Sequence, residues 1–439
     1  MKEMLSYTID GNSTNSMPSK GSGYKVKSIT CKNGSILSWD NDNWLLEVEK
    51  LESEDLCNID FTTGTGSYTV TAVPSIAGSL DSTSKTTTEN GQVTFYTDAI
   101  IDSVSGCTNE ISDGKVIVKN ITSNTTCNIN VSYMKLYDKL LADKTTRPGA
   151  RTDFSTVLTN DNTKTLYTST ENGTTVYYFA GNATDNWVKF GKNASNQDLY
   201  WRIIRTNSDG SVRLLYHGTS TTAENAYISS STAFNSSYND SKYVGYMYDS
   251  NGTNSTIKNT IDTWYKNNLT NYTKYLSTTA IYCNDRTGDG TYFGAYTRLI
   301  TNKTPTYDCT DTNDKFTVDT STGNGKLTYP IALMTADEVS FAGGLWATNA
   351  STWYYYNSAK GSSTGSTYWW LLSPYHWYGS YANVFVVYGS SNPGYLIDNS
   401  VGNASGVRPA VSLKSCVKTS GGDGSASAPY TIEESTSGC

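Results

Sequence analysis

The sequence predicts an α+β C-terminal domain preceded by two small all-β modules. Three observations predict it. Residues 5–134 hold two copies of one short strand pattern. Residues 160–439 mix alternating, aromatic-rich runs with two stretches of helical apolar spacing. The eight cysteines fall in four sequential couples, two in each part. A chain of 439 residues is also too long for one ordinary domain.

The repeat comes first in the chain. "SITCKNGSILSWDNDNWLLEVEKLESEDLCNIDF" is matched by "SVSGCTNEISDGKVIVKNITSNTTCNINV". Each copy has Cys-x-Asn, then an alternating apolar run ("WLLEV", "KVIVKNI"), then a cysteine followed by Asn-Ile-x-hydrophobe. Period two means strands. Modules are expected at 5–66 and 67–134, each an Ig-like sandwich acting as stalk or spacer. So short a segment has little core, and a disulfide from the start of the unit to its last strand would staple it. The loop "DNDNW" (40–44) alternates Asp and Asn but lacks the Gly and distal Glu of an EF-hand, so it is read as a turn. Next, "MKLYDKLLADK" has helical spacing and "TTRPGART" reads as linker, giving helix and linker over 135–159.

The remainder opens with strands: "KTLYTS", "TVYYFAG", "WVKFG", "LYWRIIRTN" and "SVRLLYHG". The last two form a hairpin turning at Asp209–Gly210. A helix at 255–270 carries Ile257, Ile261, Trp264, Tyr265 and Leu269 on one apolar stripe, read as core. A second helix starts at a Thr335-x-x-Glu338 capping box and stops at Gly343–Gly344. Capping accounts for Asp337 and Glu338 without a catalytic role. The loop "NDRTGDG" (284–290) is read as a solvated turn rather than a calcium site. Strands continue to the end: "YWWLLSP", "ANVFVVYG", "GYLID", "GVRPAVSLKS", "PYTI".

Composition limits function. The net charge is −7 with no basic stripe, which excludes nucleic acid and an anionic membrane surface as partners. No apolar run approaches the roughly 18 residues that span a bilayer. The start "MKEMLSYTID" has no apolar signal region, so targeting and anchor segments are expected to be absent from this chain. None of the cysteines lies in a CxxC pair, which argues against structural zinc. Their spacing predicts local disulfides Cys31–Cys57, Cys107–Cys127, Cys283–Cys309 and Cys416–Cys439, hence an extracellular, oxidising location. Two histidines, His217 and His376, leave no room for a multi-His metal site or a His-based triad repertoire. No acidic pair stands out, no cofactor is expected, and the protein is not expected to be an enzyme.

The stretch "YWWLLSPYHWYGSYANVFVVYGSSNPGY" (368–395) sets ten aromatic residues among Ser, Gly and Asn, with no Lys, Arg, Asp or Glu. Trp369 and Trp370 are read as core and Arg408 as a structural arginine holding loops. "WWLLSP…ANVFVV…GVRPAVSL", with "YWRIIRTNSDGSVRLL" and "FTVDTSTGNGKLTYPIALMTADEVSFAGG", resembles the C-type lectin-like variable proteins of diversity-generating retroelements and related surface proteins of Gram-positive gut bacteria. The resemblance covers about 160–434. It implies a C-type lectin-like fold with a variable face at 368–409, on the surface of a bacterial cell. The residues expected there are Tyr375, His376, Trp377, Tyr378, Tyr381, Tyr388, Ser390, Ser391, Asn392, Tyr395, Asp398 and Asn399. Most are types reached from Asn codons by adenine-directed mutation; Trp377 is not. Such a surface works as a paratope, with aromatic area at low entropy cost and adaptable hydrogen bonding. The expected function is a receptor or adhesin for a protein ligand on another cell, phage or host, with a glycan as the other partner class. The Glu-Pro-Asn, Gln-Pro-Asp and Trp-Asn-Asp motifs of calcium-dependent sugar binding are missing. The alternatives are a fixed structural or pilus-tip protein, and an enzyme of the formylglycine-generating type that shares this fold.

Overall fold

The computed structural model describes residues 4–40, 43–63, 67–158, 164–223, 226–249, 252–350, 353, 368–388, 392–434 and 439. It is mostly β-sheet with few helices. The chain divides into two compact units, Met1–Tyr133 and Met134–Cys439. All four expected disulfides form, which fits an oxidising environment. Among the described residues, no helix is long and apolar enough to cross a membrane.

In the first unit the sequence repeat becomes a repeat of topology. The first copy comprises β1 (Leu5–Ile9), β2 (Asn12–Thr14), β3 (Tyr24–Cys31), β4 (Ile36–Asp40), β5 (Leu45–Lys50) and β6 (Cys57–Thr63). The second comprises β7 (Ser67–Pro74), β8 (Ser84–Thr88), β9 (Gly91–Tyr96), β10 (Ile100–Ser105), β11 (Asn109–Ser112), β12 (Lys115–Ile121) and β13 (Thr125–Ser132). β1 runs parallel to β6 as β7 does to β13. β3 lies antiparallel on β6 as β10 does on β13. The hairpin β4–β5 corresponds to β11–β12. The sheet orders are β2-β1-β6-β3 and β8-β7-β13-β10.

The copies differ in one strand. In the second, β9 pairs with β12, making a three-stranded sheet β11-β12-β9. This sheet and its partner enclose one core, including Val70, Val93, Phe95, Val116, Val118 and Ile129. In the first, β4 and β5 form a sheet of two strands, and the buried apolar core is Trp44, Ile59 and Phe61. Trp39 packs edge-on to both Trp44 and Phe61, at 5.2 and 5.7 Å. Cys31 and Cys57 stand directly opposite each other on β3 and β6. The bridge supplies constraint where burial supplies little.

The second unit begins earlier than a domain start at 160 implies. The helix Leu136–Asp143 buries Leu136 and Leu140, one turn apart, in the large core. The stretch expected as linker is docked as well: Arg151 donates to the carbonyls of Ser340 and Phe341, and Phe154 packs edge-on to Phe341 at 5.1 Å. Apolar residues at these positions bind the segment to the unit that follows it.

The centre of this unit is the expected hairpin. Asp198–Thr206 pairs antiparallel with Val212–Gly218, which pairs with Pro409–Leu413. Trp187–Lys192 lies on the first of these strands and runs parallel to Tyr430–Ile432. A six-stranded sheet holds Ser229–Ala233, Ala404–Val407, Trp369–Trp377, Ala382–Val387, Tyr395–Ser400 and Leu345–Trp346 in that order. The chain passes from one sheet to the other at Arg408. Its guanidinium is fully buried, donates to the Tyr216 carbonyl and lies over the Trp369 ring. The helix Thr256–Asn268 is capped by Ser255 and buries Ile257, Ile261 and Tyr265, with Trp264 packed beside them. The short helix Ala336–Phe341 has the expected capping box, and all six of its residues are buried. Gly343 follows at φ +105°, where a Cβ would come within 2.6 Å of the Leu158 carbonyl oxygen.

Candidate binding face

The hairpin Trp369–Trp377/Ala382–Val387 builds the site from its buried end outward. Trp369, Trp370, Leu371 and Leu372 are wholly buried. Near Pro374 the pairing register shifts twice, and beyond it the strand carries ring after ring. Tyr375 stacks on Trp346 at 5.0 Å with 10° between the planes. It meets Phe385 edge-on at 5.0 Å and Tyr296 at 5.1 Å. His376 lies 4.3 Å from Tyr292 and 4.0 Å from Tyr378. Tyr378 in turn stacks on Tyr381 at 5.0 Å. The outermost rings are exposed: Tyr292 by 41%, Tyr378 by 45% and Tyr381 by 40%.

The loop 284–293 completes the face. The Trp377 N–H donates to the Thr291 carbonyl and the Phe293 N–H to the Tyr375 carbonyl. The Asp289 carboxylate accepts from the N–H groups of Tyr292 and Thr291, at 2.7 and 2.8 Å, and these bonds hold its pKa below the usual carboxylate range. The first half of this loop is not solvated. Asn284 is buried, donating to the Val244 and Leu372 carbonyls, and Asp285 is nearly buried against Arg298 at 2.5 Å.

Electrostatically the inner part is dry. Burial pushes the Tyr375 phenol upward and the His376 imidazole downward, so both are neutral at pH 7. Asp398 lies on the strand beyond Ala382–Val387, accepting a hydrogen bond from Asn383, and burial raises its carboxyl. Pairing places Asp398 opposite Phe385.

The sequence-derived residues therefore do not share one surface. Tyr375 and His376 are nearly buried and act as the layer beneath Tyr378 and Tyr381. Trp377 is half-buried. Strand alternation turns Tyr395 and Asn399 to the sheet face opposite Asp398. Asn399 is tied to Ser405 and Asn403. Tyr388 and Tyr395 form a second ring group with Tyr368, at 5.7 and 4.6 Å from Tyr388. The Asn392 carbonyl accepts from the Tyr395 N–H. Ser390 and Ser391 lie outside the described residues. Tyr292, Tyr296 and Trp346 were missed. The signal was present in "TYFGAYT" (291–297), which mixes rings with Gly, Ala and Thr as 375–381 does.

A second polar cluster lies deeper. Glu338 accepts from Arg213 at 2.7 Å and Arg205 at 2.9 Å, and Arg205 also reaches Glu171 at 2.8 Å. Arg298 bridges Asp337 and Asp285. All of these groups except Glu171 line a small polar cavity with Thr335, Tyr307 and Ser373. Burial alone would raise the Glu338 carboxyl, but Arg213 and Arg205 outweigh it and hold it low. The carboxylates of Glu171, Asp285, Asp337 and Glu338 are each paired with a guanidinium, and these pairs brace the fold. Among the described residues, the one metal-type grouping is Cys31, Asp55 and Cys57; both sulfurs are used by their disulfide. Comparison with family models, with curated proteins and with solved structures finds no match for this chain.

Proposed function

We propose that residues 134–439 form a C-type lectin-like ligand-binding domain on a bacterial cell surface. In this reading, the exposed rings around Tyr292, Tyr378 and Tyr381 receive a protein ligand. The observation that carries it is the set of exposed rings, Tyr292, Tyr378 and Tyr381, joined through His376 and backed by buried Tyr375 and partly buried Trp346. Rigid aromatic anchors of this kind dominate binding surfaces because they bury large area with few rotatable bonds. The motifs behind the resemblance support the fold assignment, because "WWLLSP" pairs directly with both "ANVFVV" and the strand that begins "GVRPAVSL". The first unit is a spacer in this reading.

Two experiments test it. Sequencing downstream of the gene should find a near-copy of the codons for 368–409, differing at adenines, beside a reverse transcriptase. Finding none would remove diversification and leave a fixed surface domain. Display of the protein against libraries of bacterial and host surface proteins should capture ligands that a Tyr378→Ser/Tyr381→Ser variant loses. Equal capture by the variant would overturn the assigned face. Both side chains are exposed, so the variant should melt with the wild type.

A further inference from the structure

We propose that the free edge of β5 receives an added β-strand from another polypeptide, one in which apolar residues alternate with lysine or arginine. The two copies in the first unit supply the argument, because one shows what the other lacks. In the second copy β9 lies antiparallel on the outer edge of β12, with Val93 opposite Val118 and Phe95 opposite Val116. In the first copy, among the described residues, no strand pairs with that edge of β5. The segment 15–23, which stands in the chain position of β9, forms no strand. It covers only the turn end, where the Pro18 carbonyl accepts from the Trp44 indole at 2.9 Å.

The side chains tell the same story. Asp40 pairs with Leu45 next to one hairpin turn, and Ser112 with Lys115 next to the other. Counting from there, Leu46 and Val48 correspond to Val116 and Val118. The valines of the complete copy are 0% exposed, whereas Val48 is 50% exposed. An unpaired row of backbone N–H and C=O groups beside an uncovered apolar side chain is the geometry of strand addition.

Charge selects the occupant. Glu47 and Glu49 project from the other face of β5 and are exposed, and Glu52 and Glu54 follow. Residues placed opposite Glu47 and Glu49 should be basic, since opposed like charges destabilise a strand pair. The same rule disfavours a second copy of this chain. With β5 antiparallel to itself and Leu46 and Val48 kept on one face, the registers overlapping most of the strand set Glu47 against Glu47 or Glu49.

The test uses the full chain and a defined peptide. The probe carries the Gly91–Tyr96 sequence with Gln92→Lys and Thr94→Lys, which would place lysines opposite Glu49 and Glu47. Binding should shift tryptophan fluorescence and protect the β5 amides from hydrogen exchange. Val48→Lys, and separately Glu47→Lys/Glu49→Lys, should each weaken binding by about tenfold or more at an unchanged melting temperature. N-methylation of the peptide amides that face β5 should abolish it. No binding at about 1 mM peptide, equal binding of a scrambled peptide, or indifference to Val48→Lys would overturn the proposal. Self-association of the chain that Val48→Lys abolishes would also overturn it, since the occupant would then be a second copy.

Discussion

Glu338 is the single side chain on which the most buried charge converges. It caps its own helix through the Thr335 N–H and accepts from two guanidinia. Glu338→Ala should cost about 3–5 kcal/mol in chemical denaturation, because Arg213 would be left buried without a carboxylate and Arg205 would keep only Glu171. The sign of its pH dependence follows from a folded-state pKa held low. The unfolded carboxyl takes up protons first as pH falls, so this group's stabilisation is complete above about pH 4.5 and is lost through the folded-state value. Glu338→Gln should therefore flatten the acid limb of the stability curve. His217 acts at milder pH. Its ring is fully buried, edge-on to Trp187 at 4.3 Å, and burial with Arg408 and Arg202 holds it well below its usual value. The unfolded chain binds the proton that the folded one refuses. Stability should fall below about pH 6.5 by up to about 1.4 kcal/mol per pH unit, and a His217→Gln variant should lose that slope. Neither the buried ion pairs of Glu338 nor the burial of His217 was legible in sequence. Glu338 was readable as a cap because Thr335 is three residues away, whereas its arginines are 133 and 125 positions distant.

Elements were legible wherever the signal was local. Turn chemistry at Asp209–Gly210, the apolar stripe of Thr256–Asn268 and the capping box each depend on neighbours within a few residues, and each is present. Thr335→Ala should cost about 1 kcal/mol by thermal melting. The binding face was half legible. Its strand Trp369–Trp377 could be read, but its other wall, the loop bearing Tyr292, comes from about 80 residues earlier. Nor could sequence say which rings point outward, because the register shifts near Pro374 break simple alternation. The repeat in the first unit was legible from its cysteines. Cys107→Ala/Cys127→Ala should destabilise the second copy by roughly 3 kcal/mol, seen as a lowered melting transition. The missing counterpart of β9 was invisible until pairings could be compared.

At the scale of the whole molecule, each unit has its own core and two disulfides. Thiol titration in denaturant should find no free cysteine before reduction and eight after it. Residues 134–439 expressed alone should fold with both their bridges formed, checked by circular dichroism and the same titration. The parallel pairing of Val188 with Tyr430 has a further consequence. A strand laid down early must wait for one made some 240 residues later, and loop closure over that distance is slow. During synthesis the Trp187–Lys192 edge stays bare until Tyr430–Ile432 has left the ribosome. Nascent chains stalled near residue 420 should thus be digested by protease within this sheet, while chains released past residue 432 resist. The closing strand thus makes completion of this sheet a late event in folding.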